Sequence, residues 1–351
     1  MKRKKEVRKP TQDQIDLLKR TGSANKNEAM EALRALAQAL QVPLRSALLN
    51  GDILNGIYTP EVLEGGATAE YPIDFFTADN VDDFIAWTIP SQGAIPQREV
   101  AGDAVTVDTY EITNSIDWPL RYARDARWNI VARAMEVLEA GFVRKLNTDG
   151  WSAIIAAAAG RTDYAGGAPM VYDANATAGQ FTKRLISLMK TIMTRLAGGN
   201  SATQSRGQLT DLYVSPEALE DIRAWDEAND GVDPITLREI FLANDGIGND
   251  TATSPLAGFY GVRIHSLTEL GVGQEFQNFF ATLGVSMGAS DEEIVVGLDL
   301  QENDSFVMPV KEQLVVHEDD TLHRRRKGGF YGWQDQGFGV LDSRRAILGS
   351  F

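Results

Sequence analysis

LYVSPEALEDIRAW, residues 212–225, decides how this chain is read. Leu212 to Val214 have the apolar character of a short strand. Ser215 offers a hydroxyl to cap a helix, and Pro216 suits that helix's first turn. Ala218, Leu219 and Ile222 then recur on one face. The stretch therefore predicts a strand that runs through a sharply specified corner into an amphipathic helix. It holds no nucleophile beside a base and no metal ligands at useful spacing. The rest of the chain has to explain why such a corner carries no chemistry.

The chain has 351 residues, 43% of them hydrophobic and 24% charged. That is enough for one large mixed domain or two modest ones with a core of their own. No apolar run approaches the roughly 18 residues of a membrane span. Met1 is followed by Lys-Arg-Lys-Lys with no apolar segment behind it, so a secretory signal is not expected. Cysteine is absent, which excludes disulfides, thiolate zinc sites and cysteine nucleophiles together. The formal net charge of −15 is unevenly spread: residues 2–9 carry six basic groups and one acid. Lys2, Arg3, Lys4, Lys5, Arg8 and Lys9 suggest an arm that reaches nucleic acid or an acidic protein surface, or else a solvated terminus. The acidic body argues against a protein that coats nucleic acid over its whole surface.

Along the chain, residues 1–25 read as flexible, being charged and then rich in turn formers. Residues 27–40 predict an amphipathic helix on Met30, Leu33, Leu36, Ala37 and Leu40, which Pro43 should end or bend. Between residues 50 and 118 β-formers take over. FIAWTI (84–89) reads as a strand and PSQGAIP (90–96), with Pro90, Gly93 and Pro96, as a loop tip. AVTVDTYEI (104–112) alternates, but neither face is wholly apolar. The reading is a two-stranded arm standing away from the body and supported from outside the subunit, since a lone hairpin is marginal in water. An ordinary meander folded back on the protein is the alternative.

Pro119 to Ala159 is the longest helical signal, with one stripe of Trp128, Val131, Met135, Leu138, Phe142 and Leu146. Unbroken, about 40 residues would span roughly 60 Å; Gly141 and the Asp149-Gly150 pair are candidate interruptions. A second helix is expected over 181–199, with Leu185, Leu188, Ile192 and Leu196 inward and Gly198-Gly199 as its stop. Beyond a loop-rich stretch, 256–267, 279–288, 292–300 and 310–319 read as strands, and GFGVLD and RRAIL near the end are β-like. The fold class is α+β.

Chemistry is sparse. Of His265, His317 and His323, none has a partner at helical zinc-ligand spacing. His317 beside Glu318, Asp319 and Asp320 reads either as a cation site or as a solvated acidic turn. No GxSxG elbow, P-loop or strand-borne GxGxxG occurs. The calcium-like segment from Asp226 fails at Ala228 and Leu237, where ligands are required. Asn175 and Asn249 head glycosylation triplets that carry little weight without a signal peptide. Arg324, Arg325 and Arg326 form a second basic cluster, able to touch phosphate or to pair with an acidic neighbour across an interface, the latter suiting the acidic body better. The expectation is no enzyme, with no catalytic, metal or cofactor residues and no cofactor.

Taken in order, the sequence resembles the major capsid proteins of tailed bacteriophages, the Hong Kong 97-type fold that encapsulin shells share. Residues 112–150 look like the return strand of that family's extended hairpin, the E-loop, running into its spine helix. Residues 209–225 look like its strand and axial-domain helix. LAGFYGVRIHSL (256–267) resembles its Gly-containing turn to the next strand, and QGFGVLDSRRAILGSF its closing strands. The resemblance implies an N-terminal arm with helix over 1–50, the E-loop region over 51–118, spine helix and peripheral domain over 119–208, an axial domain over 209–290 and a return to the sheet over 291–351. It implies a structural protein that self-assembles through hexamers and pentamers into an icosahedral shell around double-stranded DNA, in a virion put together in the host cytoplasm. A scaffold protein, a portal and a decoration protein are the implied partners, with no membrane. The basic arm, the loop tip and Arg324 to Arg326 would be contacts to other subunits, DNA or scaffold. An encapsulin-like compartment and, in a different class, a soluble α+β enzyme built on His265 or the 317–320 cluster are the competing readings. A shell subunit answers the opening question: it needs corners that hold its edges at fixed angles, and many weak contacts multiply when each copy makes several.

Some members of that family join their subunits covalently through a lysine on the E-loop. No lysine occurs here between residues 27 and 144. Denaturing gels of assembled particles should therefore show monomers alone, and a covalent ladder traced to this hairpin would contradict the reading.

Overall fold

The computed structural model describes residues 12–21, 23, 25–51, 53–64, 67–72, 104–125, 128–161, 169–196, 208–225, 256–285, 293–301, 305–319 and 321–351. Helices α1 (Gln12–Thr21) and α2 (Lys26–Gly51) lead to strands β1 (Thr59–Val62), β2 (Glu70–Pro72), β3 (Ala104–Thr106) and β4 (Tyr110–Pro119). Helices α3 (Leu120–Arg124) and α4 (Trp128–Ala159) follow, then β5 (Val171–Tyr172), α5 (Lys183–Leu196), β6 (Asp211–Val214) and α6 (Pro216–Ala224). The chain continues with β7 (Leu256–Phe259), β8 (Val262–Ser266), α7 (Glu275–Thr282), β9 (Ile294–Leu298), β10 (Phe306–Glu318), β11 (Lys327–Gln336), β12 (Gly339–Val340) and β13 (Ala346–Ser350).

The described residues fall into two compact units, one within Met1–Ala69, Thr106–Gly150 and Val307–Phe338, the other within Glu70–Val105, Trp151–Phe306 and Gly339–Phe351. In the first, the strands run β1-β10-β11-β4, with β1 parallel to β10 and the others antiparallel. Helices cover one face of this sheet. Leu18 of α1, Leu33 and Leu36 of α2, and Leu138, Phe142 and Leu146 of α4 close on Ile112, Trp118, Leu314, Val316 and Phe330. Burying each large apolar side chain contributes about 1.5–3 kcal/mol. The opposite face of β4 presents Glu111, Thr113, Ser115 and Asp117 to solvent. Period-two alternation therefore holds along β4, and it is the helices that select which half is buried.

In the second unit the order is β5-β13-β9-β6-β8-β7. Both faces are covered here. Leu185, Ile186, Met189 and Met193 of α5 and Ala218, Leu219 and Ile222 of α6 pack on Leu212, Val214, Ile264, Val295 and Ile347. On the other face Trp151, at the start of this unit's share of α4, meets Tyr213 edge-on at 4.7 Å and Phe276 of α7 at 6.1 Å. Strands covered on both sides must be apolar throughout, and β6, β9 and β13 are buried at every residue. The chain's last strand, β13, pairs with β9 on one side and β5 on the other.

Several sequence expectations need correction. The chain is not devoid of structure up to residue 25: α1 occupies Gln12–Thr21, and Leu18 is fully buried in the first unit's core. Pro43 does not end α2, which runs on to Gly51. Pro119 closes β4 rather than opening the helix, a position open to proline because β4 is an outer strand. The long helix is accordingly divided into five residues of α3 and 32 of α4. Gly141 and Gly150 do not interrupt α4. They let neighbours approach, and a Cβ at Gly141 or at Gly150 would collide with Asn114 or Leu54 respectively. On α5 the buried face is Leu185, Ile186, Met189 and Met193, with Leu188 and Ile192 only partly buried. Residues 275–282 are helical where a strand was read from residue 279, because Phe276 and Phe280, four apart, both sit in the core. FIAWTI, PSQGAIP and the calcium-like segment lie outside the described residues.

The opening corner forms as read. Ser215 is buried and extended, its Oγ accepts from Ala218 N at 3.0 Å, and Pro216 takes the first helical position. The same hydroxyl donates to Glu293 Oε2 at 2.5 Å. Ser215→Ala should therefore cost about 1–2 kcal/mol in urea unfolding. Ser215→Asp, ordinarily an equivalent cap, should be no better, because it would set a second carboxylate against Glu293.

Candidate functional site

Of the residues singled out as contact sites, Lys2, Arg3, Lys4, Lys5, Arg8, Lys9, Pro90, Gly93 and Pro96 lie outside the described residues. Arg324, Arg325 and Arg326 are described, and they sit on a turn whose backbone is held by hydrogen bonds. β10 ends at Glu318. Asp319 Oδ1 then accepts from Thr321 N at 2.9 Å and from its Oγ1 at 2.6 Å. A 3-10 turn spans Leu322–Arg325, and Arg326 adopts a left-handed φ of 55°. That conformation costs a non-glycine residue roughly 1–2 kcal/mol. It is held from both sides: Arg326 O accepts from Leu120 N at 3.0 Å, and Asp319 N donates to Gly329 O at 3.1 Å. Gly329 has no room for a side chain, since a Cβ there would lie 2.6 Å from both Ile116 O and Leu322 Cδ1.

The charges around this turn pair with one another, while the three arginines do not. Lys327 Nζ reaches Asp117 at 2.6 Å and Arg34 Nε reaches Glu318 at 2.9 Å. Arg324, Arg325 and Arg326 are all exposed, and none has an ion pair among the described residues. Of the 317–320 cluster Asp320 lies outside the described residues, and the other three are engaged in other contacts. Glu318 is paired, Asp319 caps the turn, and the His317 ring stacks on Trp333 at 4.6 Å and on Tyr331 at 5.8 Å. Among the described residues no group of three His, Cys, Asp or Glu is placed to hold a metal ion.

At the far end of the same strands lies a feature that reading the sequence missed. Glu312 is opposite Asp335, and Asp335 is opposite Glu111. Directly opposed residues of a regular ladder share a face, which puts Glu111 and Asp335 together on the outer side; Glu312, exposed between two irregularities of β10, is opposite Asp335, so the three carboxylates form a row across β10, β11 and β4. Like charges so placed repel. None of the three has an ion pair among the described residues, and Asp335 Oδ1 is shut off from solvent without a hydrogen-bond partner. Trp333, opposite Val315 and Thr113, occupies the next outward-facing position along β11. Nothing short of strand register could have located this row, since Glu111 lies more than two hundred residues from Glu312 and Asp335.

In the second unit the polar centre is Asp211, its side chain 2% exposed. It receives Thr210 Oγ1, Arg263 Nη2 and His265 Nε2, each at 2.7 Å. A carboxylate can only accept, so His265 carries its proton on Nε2. Burial alone pushes the Asp211 carboxyl up. The bonds from His265, Thr210 and Arg263, with the arginine's charge, outweigh it and hold the group below the usual carboxylate range. The His265 ring stacks on Tyr213 at 4.8 Å, and burial first, then the Asp211 charge, raises the Tyr213 hydroxyl well above its ordinary value. The contacts from Arg263 and His265 tie β6 to β8, its parallel neighbour. The groups identified around His265 thus serve as cross-strand braces. A second brace joins the end of α4 to the last strand: buried Arg161 donates from Nη1 to Ser343 O at 2.8 Å and to Ala346 O at 3.2 Å.

No protein-family model matches the chain, and no curated protein matches its sequence. Solved structures do match its fold. The capsid of a native GTA particle aligns with a TM-score of 0.52 at 12% identity, over 85% of this chain and 89% of that one. The capsid of Myoviridae phage XM1 gives 0.51 at 13%, over 85% and 90%. The capsid of cyanophage P-SCSP1u gives 0.52 at 13%, over 85% and 88%. The chain has the α+β fold of these capsid proteins, the Hong Kong 97-type architecture.

The Asp211 cluster makes a definite pH prediction. A carboxyl whose folded pKa lies below its unfolded value of about 3.9 stabilises fully above that value, and the contribution is lost as pH falls through the folded pKa. Asp211→Asn should cost about 1–3 kcal/mol at neutral pH and should flatten the acid limb of the stability curve below about pH 4, measured by urea unfolding from pH 3 to 7.

Proposed function

We propose that this chain is the major capsid protein of a tailed phage, self-assembling into an icosahedral shell that encloses double-stranded DNA. The observation that carries the reading is the shared fold, which extends over 85% of the chain to structures whose subject is a capsid. The arrangement of the first unit supports it: a sheet covered by helices on one face leaves the other open, with charged groups on it that have no partner among the described residues. The braces in the second unit hold strands at fixed relative positions, which a closed shell requires of its subunits.

On this reading residues 2–9 are the arm toward DNA, a scaffold protein or an adjoining subunit, and the 51–118 region is the E-loop lying across a neighbour. A scaffold, a portal and a decoration protein complete the particle, which is assembled in the host cytoplasm. The subunit's product is geometry, and no residue is assigned a catalytic role.

Electron microscopy and size-exclusion chromatography of the full-length purified chain test the reading. Closed particles or rings of capsomer size are expected. A monomer or small dimer at all concentrations would overturn it. Particles recovered from infected cells should carry double-stranded DNA; cargo enzymes in its place would point to an encapsulin-like compartment.

A further inference from the structure

We infer that the arginine turn of one copy docks on the carboxylate row of the next, with Arg324, Arg325 and Arg326 meeting Glu312, Asp335 and Glu111 against the Trp333 ring. The inference rests on the shell reading and names the surface by which the first unit joins its neighbour.

Three observations carry it. The first is that both surfaces lack partners within the chain. Three exposed guanidiniums and three carboxylates are without an ion pair among the described residues, although nearby Lys327 and Glu318 have theirs. The second is shape. The carboxylates lie side by side across three strands, and no three acidic groups among the described residues converge as a metal ion would require. A row of this kind suits planar, forked guanidiniums, which bind carboxylates in bidentate fashion and stack on aromatic rings. Trp333, one face of whose ring stacks on His317, lies one outward position along.

The third is distance. The turn and the row lie at opposite ends of β11, whose ten residues extend about 33 Å. One copy therefore cannot satisfy itself, and the pairing must run between copies, either reciprocally across a two-fold axis or head to tail from subunit to subunit. The turn is also held in shape before docking, by Asp319, Leu120 and Gly329, so little ordering is left to be done on binding. Phosphate is the other chemistry an arginine cluster fits, but the second surface on this chain is anionic and the body as a whole carries −15.

The test is charge exchange in the full-length chain. Arg324→Glu/Arg325→Glu/Arg326→Glu and, separately, Glu111→Arg/Glu312→Arg should each lower the assembled fraction about tenfold or more, as expected for several exposed pairs lost together. Carrying both sets in one chain should restore much of it. Wild-type assembly should weaken with added salt. Should either reversal misfold, as judged by circular dichroism, the neutral set Arg324→Gln/Arg325→Gln/Arg326→Gln with Glu111→Gln/Glu312→Gln replaces it, and the combined loss should fall short of the two single losses added. Normal assembly of the reversals, or a combined variant no better than its parents, overturns the inference and leaves the shell reading standing. Arginine reversal that leaves shells intact but empties them of DNA also overturns it, in favour of a phosphate contact. A wild-type chain that never assembles overturns both.

Discussion

Covering a sheet on both sides leaves its strands no polar face, and the second unit depends on that constraint. β6 lies between β8 and β9, with α5 and α6 on one face and Trp151 and Phe276 on the other. Its polar atoms must then be satisfied at its ends. Asp211 at one end gathers Thr210, Arg263 and His265, and Ser215 at the other serves Ala218 and Glu293. An apolar strand fixed at both ends by buried hydrogen bonds cannot slip in register, because a one-residue shift would strand a charge in the core.

The first unit follows the opposite logic. Its sheet is packed on one face only, so each strand keeps an outward half that the fold itself does not use. On β4 that half is Glu111, Thr113, Ser115 and Asp117; on β10 and β11 it includes His317, Tyr331, Trp333 and Asp335. Tyr and Trp on an outward face are residue types enriched at protein interfaces relative to the rest of a surface. The row of like charges across three strands is unfavourable in an isolated subunit. Such an arrangement is consistent with a surface whose partner is another molecule.

Much of this was legible in the residues. The corner at Ser215 could be read because cap, proline and apolar spacing all lie within a few positions. The stripe Leu138, Phe142 and Leu146 could be read because helical periodicity is local, and all three are buried. Where competing signals were nearly balanced, the reading failed. On α5 two overlapping stripes fit a helix, and only the sheet beneath chose Ile186, Met189 and Met193 over Leu188 and Ile192. Phe279 and Phe280 read as strand formers until Phe276, one turn earlier, placed Phe280 in the core of a helix. Pro119 read as a helix start because the edge position that admits it to β4 is a property of the sheet.

By itself the sequence determined the class of fold, the corner at Ser215, the main helical stripes and the three-arginine cluster. All of these follow from spacing within a turn or two, which is how far propensity and periodicity reach. Tertiary structure alone decided which face each strand buried, that Asp211 and His265 brace two strands, and that Glu111, Glu312 and Asp335 share one row. Those facts depend on register between segments far apart in the chain. Register is set by the sum of packing against every neighbour at once, a quantity no single stretch of sequence contains.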